Sequence, residues 1–372
     1  MSPRVLAALL LIFALLSKPL PVLAEEPVDT SSLERDWQAL QRQYGQYLPE
    51  FDWRDPGSAL DFRGLVSGLF RYLFHELWAN GALLGQLILL AVLGSLLKNL
   101  QNTFASEGVA QVSRTVVLLV LLSVCMYSFS IASDLARRTI IGMTDFILSL
   151  VPVMLTLLTG LGSLAAAAVF QPVLLTAAGL VGVLVSNVVL PLLMAAALLT
   201  LIDKMLTGIG LNKLAGFLKD GAAWMLGFFL TIFVGITVIN GTVAAVTDGV
   251  ALRTGKFAAK AFIPVVGNMF SDAFETVAGA SLVLKNTIGI FGVISLAAIS
   301  LFPMLKMFAI TLIYRGAAAL LQPLGEETIS DTLESMARHM YTLIGAVAAV
   351  ALMFFMVVTI IIAAANFMVM VR

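Results

Sequence analysis

Between Asp145 and Asp203 the chain carries no aspartate, glutamate, lysine, arginine or histidine. A bilayer core about 30 Å thick is crossed by about 20 helical residues, so this stretch has room for two or more crossings. The rest of the chain agrees. It is 60% hydrophobic and 12% charged, with a mean hydropathy of +1.01, whereas soluble domains devote about a quarter of their residues to charge. The sequence therefore predicts an all-α polytopic membrane protein with about eight transmembrane helices, in a range of about seven to ten.

The N-terminus has the layout of a signal peptide over residues 1–24. Arg4 supplies the positive end, Val5 to Leu16 the apolar centre, and Val22-Leu23-Ala24 a small-residue cleavage site, with cleavage after Ala24. An uncleaved anchor is the alternative. Cleavage would start the mature chain outside the cytoplasm, with residues 25–75 as an extracytoplasmic amphipathic helical region. There Leu33, Trp37, Leu40, Tyr44 and Tyr47 recur at helical spacing. Such a helix is too small to fold alone and is expected to lie on the membrane or pack on a partner.

The polytopic domain follows at 76–372. Hydropathy places spans near 80–98, 115–133, 140–160, 164–186, 187–204, 222–246, 276–298, 299–321 and 343–369. Pro152, Gly160, Gly162, Pro172, Pro264 and Pro303 predict broken or re-entrant helices. A spacing of 112 residues separates Pro152 from Pro264 and Pro191 from Pro303, which suggests an internal duplication with halves 112–223 and 224–340 before the final span. Positive-inside counting slightly favours full crossing by 140–160.

Val246 to Val293 is the segment that departs from a plain lipid anchor. Arg253, Lys256 and Lys260 share one helix face, readable as a lipid-facing basic helix or as a docking face for an acidic partner. Asn268, Ser271, Asp272, Glu275 and Gly279 form one polar stripe, and Thr156, Thr159 and Ser163 echo it at the repeat spacing. The two stripes either line a shared aqueous cavity or lie at the water interface. Lys285 either snorkels or pairs with Asp272 or Glu275, since a charge at membrane depth tends to mark function.

Other chemistry is sparse. His75-Glu76 lacks the second histidine of a zinc-binding HExxH helix, and His339 falls on the polar side of an amphipathic stretch, so both histidines are expected to be solvated or interfacial. Cys125 is the single cysteine and reads as a small buried apolar residue. A formal net charge of zero gives no argument for nucleic acid as a partner. No nucleotide loop, nucleophile motif or metal cluster is legible, so neither an enzyme nor a cofactor is expected.

The strings TDGV, RTGKF, FIPVVG and SLVLKNTIG stand at Thr247–Val250, Arg253–Phe257, Phe262–Gly267 and Ser281–Gly289. With Gly68 to Phe104 and Tyr47-Leu-Pro-Glu50, they resemble the stage III sporulation protein AE family over about residues 30 to 370. That resemblance implies a non-enzymatic component of a sporulation-specific secretion or channel complex linking mother cell and forespore. It further implies a place in the mother-cell membrane surrounding the forespore, beside a cytoplasmic ATPase and ring-forming membrane proteins, and a need for the protein in late forespore development. A self-contained secondary transporter and a passive membrane scaffold are the alternatives.

Overall fold

The structure, a computed structural model, describes residues 31–48, 62–104, 107–160, 164–205, 210–262, 266–324 and 327–370; the side chains of 240–286 lie outside that description. Among the described residues every regular element is helical. In chain order these are α1 (Ser31–Tyr44), α2 (Phe62–Ala79), α3 (Gly81–Phe104), α4 (Glu107–Gly160), α5 (Leu164–Leu184), a π-helical turn (Val185–Val189), α6 (Leu190–Met205), α7 (Asn212–Phe262), α8 (Val266–Leu321) and α9 (Glu327–Met370). Helix is what an apolar chain must form in lipid, because each backbone N–H and C=O then finds its partner within the segment. Buried hydroxyls follow the same rule. Thr144, Ser300 and Thr311 donate to the carbonyls of Ile140, Leu296 and Met307 one turn back, at 2.8, 2.9 and 2.8 Å.

Five segments among the described residues are long and apolar enough to cross a membrane: Thr115–Thr159, Gln171–Lys204, Asn212–Thr237, Thr287–Leu321 and Glu327–Ala363. The bent pair Gly64–Ala79 and Gly81–Leu96 raises the number to as many as six. This corrects the expected eight. Spans expected separately at 115–133 and 140–160 are one unbroken helix, as are those at 276–298 and 299–321, and 164–204 continues through the π turn. The physical reason is that a hydropathy dip marks charge, not a turn. Asp134, Arg137 and Arg138 interrupt the apolar run with residues that are good or tolerable in a helix, and the helix continues through Gly142 beyond them.

The expected breaks at proline are corrected too. Pro152, Pro172 and Pro303 all lie inside helices. A proline inside a helix frees the carbonyl four residues back, a loss that packed neighbours make tolerable in a membrane bundle. Pro264, Gly162 and Ser163 lie outside the described residues, as do residues 1–24, where a signal peptide is expected. The duplication is not supported: α4 ends at Gly160, whereas Asp272, 112 residues on, falls inside unbroken α8.

α4 and α8 run antiparallel along most of their length. The Tyr314 hydroxyl donates to the Cys125 carbonyl at 3.5 Å, and farther along Gly142 meets Ile299 and Gly292 meets Leu150. A methyl group on Gly292 would lie 2.6 Å from Leu150 Cδ2, and one on Gly289 2.7 Å from Ile362 Cδ1 of α9. Small residues thus let the three backbones approach closely, as association in lipid requires. The core is the strip where they meet, with Phe146, Leu150, Met154, Phe291, Phe302, Val350 and Phe354 buried.

α1 turns its apolar face to the bundle. Its predicted apolar stripe is correct, since Leu33, Trp37, Leu40 and Tyr44 are all buried, but it docks on its own chain. Trp37 meets Phe291 edge-on at 5.4 Å, and Tyr44 stacks on Phe302 at 4.3 Å.

Candidate functional site

At 1.5 Å per residue the 45-residue segment Thr115–Thr159 is about 68 Å long, more than twice a bilayer core of about 30 Å. What divides it is polar. Asp134, Arg137 and Arg138 sit near its middle, and the other helices bring polar groups to the same level. Arg138 pairs with Asp134 one turn back. Arg137 Nη2 donates to Asn187 Oδ1 in the π turn at 3.1 Å. The α4–α8 register places Lys306 opposite this stretch, because Gly142 already faces Ile299. The result is a polar belt between two apolar tiers, one on the N-terminal side of α4 and one on its C-terminal side.

The buried centre of the belt is an ion pair between α2 and α8. Lys306 Nζ lies 3.3 Å from Glu76 Oε1, with the glutamate side chain 8% exposed and the lysine 38% exposed. Asn80 Nδ2 donates to Glu76 Oε2 at 3.1 Å and to the Glu76 carbonyl at 2.8 Å. Tyr72 also hydrogen-bonds the carboxylate. Rings close over it: Tyr72 meets Phe302 at 5.0 Å and Tyr47 at 5.2 Å. A carboxylate held by an ammonium, an amide and a phenol is satisfied, as a buried charge must be. It ties α2 to α8 as a pin between helices.

Beside the pin, α1, α4 and α8 enclose a cavity of about 530 Å³ lined by Asp36, Gln43, Tyr44, Arg138, Thr139, Asp145 and Pro303, among others. Burial pushes the Asp36 carboxyl up; Arg35 beside it pulls the other way, and Asp145 across the cavity adds to the rise. Burial, reinforced by the Glu76 charge, pushes the Tyr44 hydroxyl up to about 12.

A second polar cluster caps the end of the bundle where α6, α8 and α9 meet. Lys204 lies 3.6 Å from Asp331 and Arg315 lies 3.5 Å from Glu334. His339 belongs here and corrects the expectation of a solvated ring: it is 7% exposed, with Nε2 2.9 Å from Thr200 Oγ1 and Nδ1 buried without a partner. The polar face on which the sequence puts it is covered by α6. His75 is exposed as expected.

The sequence-derived candidates are only partly brought together. Thr156 is exposed and Thr159 half-buried, and Thr159 donates to the Thr156 carbonyl at 2.6 Å. Asn268, Ser271, Asp272, Glu275 and Lys285 lie on α8, and Arg253, Lys256 and Lys260 on α7, but their side chains lie outside the described residues. Sequence reasoning missed Glu76 and Lys306. The available signal was the lone lysine inside the apolar stretch that runs from Asn286 to Tyr314.

Compared with known proteins, residues 52–365 match the family described as Stage III sporulation protein AE. The chain is 40% identical over 354 residues to Stage III sporulation protein AE of Bacillus subtilis (strain 168), covering 93% of this chain and 88% of that protein. No solved structure matches it.

Proposed function

The chain belongs to the stage III sporulation protein AE family, and from that membership we propose that it is a non-enzymatic membrane component of a sporulation-specific channel or secretion complex. In this reading it sits in the mother-cell membrane around the forespore and sustains late forespore development. Its partners are a cytoplasmic ATPase, ring-forming membrane proteins of the same assembly, and membrane lipids. The observation that carries the reading is the family match across most of a multi-pass helical chain.

The belt supports a conduit over a simple anchor. An anchor has no use for charges midway along helices twice as long as a bilayer is thick, and such charges are costly unless they face protein or water. The stripes at Asn268, Ser271, Asp272 and Glu275 and at Thr156, Thr159 and Ser163 would line the aqueous path, with Lys285 paired to Asp272 or Glu275. Arg253, Lys256 and Lys260 would form the face toward an acidic partner or lipid.

The test is complementation of a spore former lacking its own copy, scored by heat-resistant spores and a late forespore reporter. Wild-type protein should restore both, and Lys285→Leu should insert normally yet restore neither. Full sporulation without any copy of the protein would overturn the reading. Solute uptake by the purified protein alone in liposomes, lost in Glu275→Gln, would replace the complex component with a self-contained transporter.

A further inference from the structure

A pocket of about 460 Å³ opens between α4 and α6, apart from the Glu76–Lys306 pin. Its head is polar, with Ser130, Ser133, Asp134 and Arg137, and its floor is apolar, running from Leu190 and Pro191 past Met194 to Leu198. Charge at the head does not cancel. Asp134 is engaged by Arg138, so Arg137 keeps a full positive charge, with a neutral amide, Asn187, as its hydrogen-bond acceptor. A guanidinium has five N–H donors in a planar fork, most of which remain free to meet an incoming oxyanion.

Local backbone explains why the head takes this form. Pro191 has no N–H to offer the helix. The chain responds with a π turn at Val185–Val189, in which the Leu190 N–H reaches back five residues to the Val185 carbonyl. A π turn adds a residue to the helix and re-aims the side chains on it, and such turns are frequent at functional sites. Here it brings Asn187 against Arg137.

The floor has the shape of the rest of an amphiphile. From Asn187 to Leu198 the helix extends about 16 Å, away from the belt and along an apolar tier. Leu198 is itself 38% exposed at the far end. The floor lies along the tier on the N-terminal side of α4, so where a bilayer covers that tier the pocket head stands at its headgroup edge.

We propose that this pocket binds an anionic phospholipid, its phosphate on the Arg137 guanidinium and the serine hydroxyls, and an acyl chain along Pro191, Met194 and Leu198. The test uses the full-length protein, purified and stripped of lipid, and titrated with phosphatidylglycerol or phosphatidylcholine under native mass spectrometry. Phosphatidylglycerol should be retained over phosphatidylcholine. Arg137→Gln should weaken its retention about fivefold, the factor one cation supplies at an anionic surface. Lys213→Gln, a change at an exposed cation outside the pocket, should leave retention unaltered. Met194→Gln should weaken the lipid while leaving the arginine in place. Equal retention by wild type and Arg137→Gln, or equal binding of the two lipids, would overturn the proposal. Complete displacement of the lipid by millimolar inorganic phosphate would assign the pocket to a free anion and overturn it as well.

Discussion

At the residue scale, the Glu76–Lys306 pair makes the sharpest statement about what holds the belt together. Removing one member of a buried pair strands the other, at a cost of about 3–5 kcal/mol when both are desolvated. Lys306 is 38% exposed, so Lys306→Met should cost less, about 2 kcal/mol. Glu76→Gln combined with Lys306→Met should recover most of that loss, because no charge is then left alone. Thermal unfolding in detergent of the two single variants and the double variant measures the coupling; additive losses would mean that the pair contributes nothing of its own. Asp36 gives a pH dependence. Its carboxyl is raised in the folded protein, so its protonated form favours docking of α1, an effect fully present below the unfolded carboxylate value near 3.8 and lost as pH rises through the folded one. Arg35 on α1, and Asp145 and Arg138 on α4, are the charged groups facing that cavity. Hydrogen-exchange protection of 31–44, taken relative to the intrinsic exchange rate at each pH, should therefore fall from acid to neutral pH in the wild type, and Asp36→Asn should flatten the change.

At the element scale, how much of the fold is legible depends on what each pattern encodes. The α1 stripe was readable because period and burial coincide: Leu33, Trp37, Leu40 and Tyr44 face one way, and all four are buried. Its destination was not readable, since a stripe says that something covers it, without saying what. Trp37→Ala should free the helix at a cost of about 3 kcal/mol, detected as protease cleavage within 31–48 under native conditions. Helix joins were misread for a different reason. Arg137 and Arg138 look like a loop to a hydropathy average, yet they lie in the middle of α4, because their partners Asn187 and Asp134 are supplied by packing and by the helix itself. His339 shows the same limit, since α6 covers a face that is polar in sequence. Gly182 tests the packing directly. A methyl there would lie 2.4 Å from Thr144 Oγ1, a hydroxyl already tied to the Ile140 carbonyl. Gly182→Ala should cost about 1–3 kcal/mol by prising α5 from α4, read as a lower melting temperature.

At the scale of the whole molecule, the account rests on one claim: the long apolar bundle is crossed midway by a wet, polar belt. Membrane composition was plain from the charge-free run after Asp145, whereas the belt was not, because its members come from α2, α4, the π turn and α8, far apart in sequence. Single cysteines placed in a Cys125→Ala background read the claim most directly, with a membrane-impermeant thiol reagent applied to the protein in native membranes opened to give access from both sides. Leu119→Cys and Phe355→Cys lie on exposed faces of the two apolar tiers, and Arg138→Cys lies on the belt between them. Rapid labelling is expected at Arg138→Cys, with protection at the other two until denaturant is added. Protection at Arg138→Cys equal to that at Leu119→Cys and Phe355→Cys would contradict it.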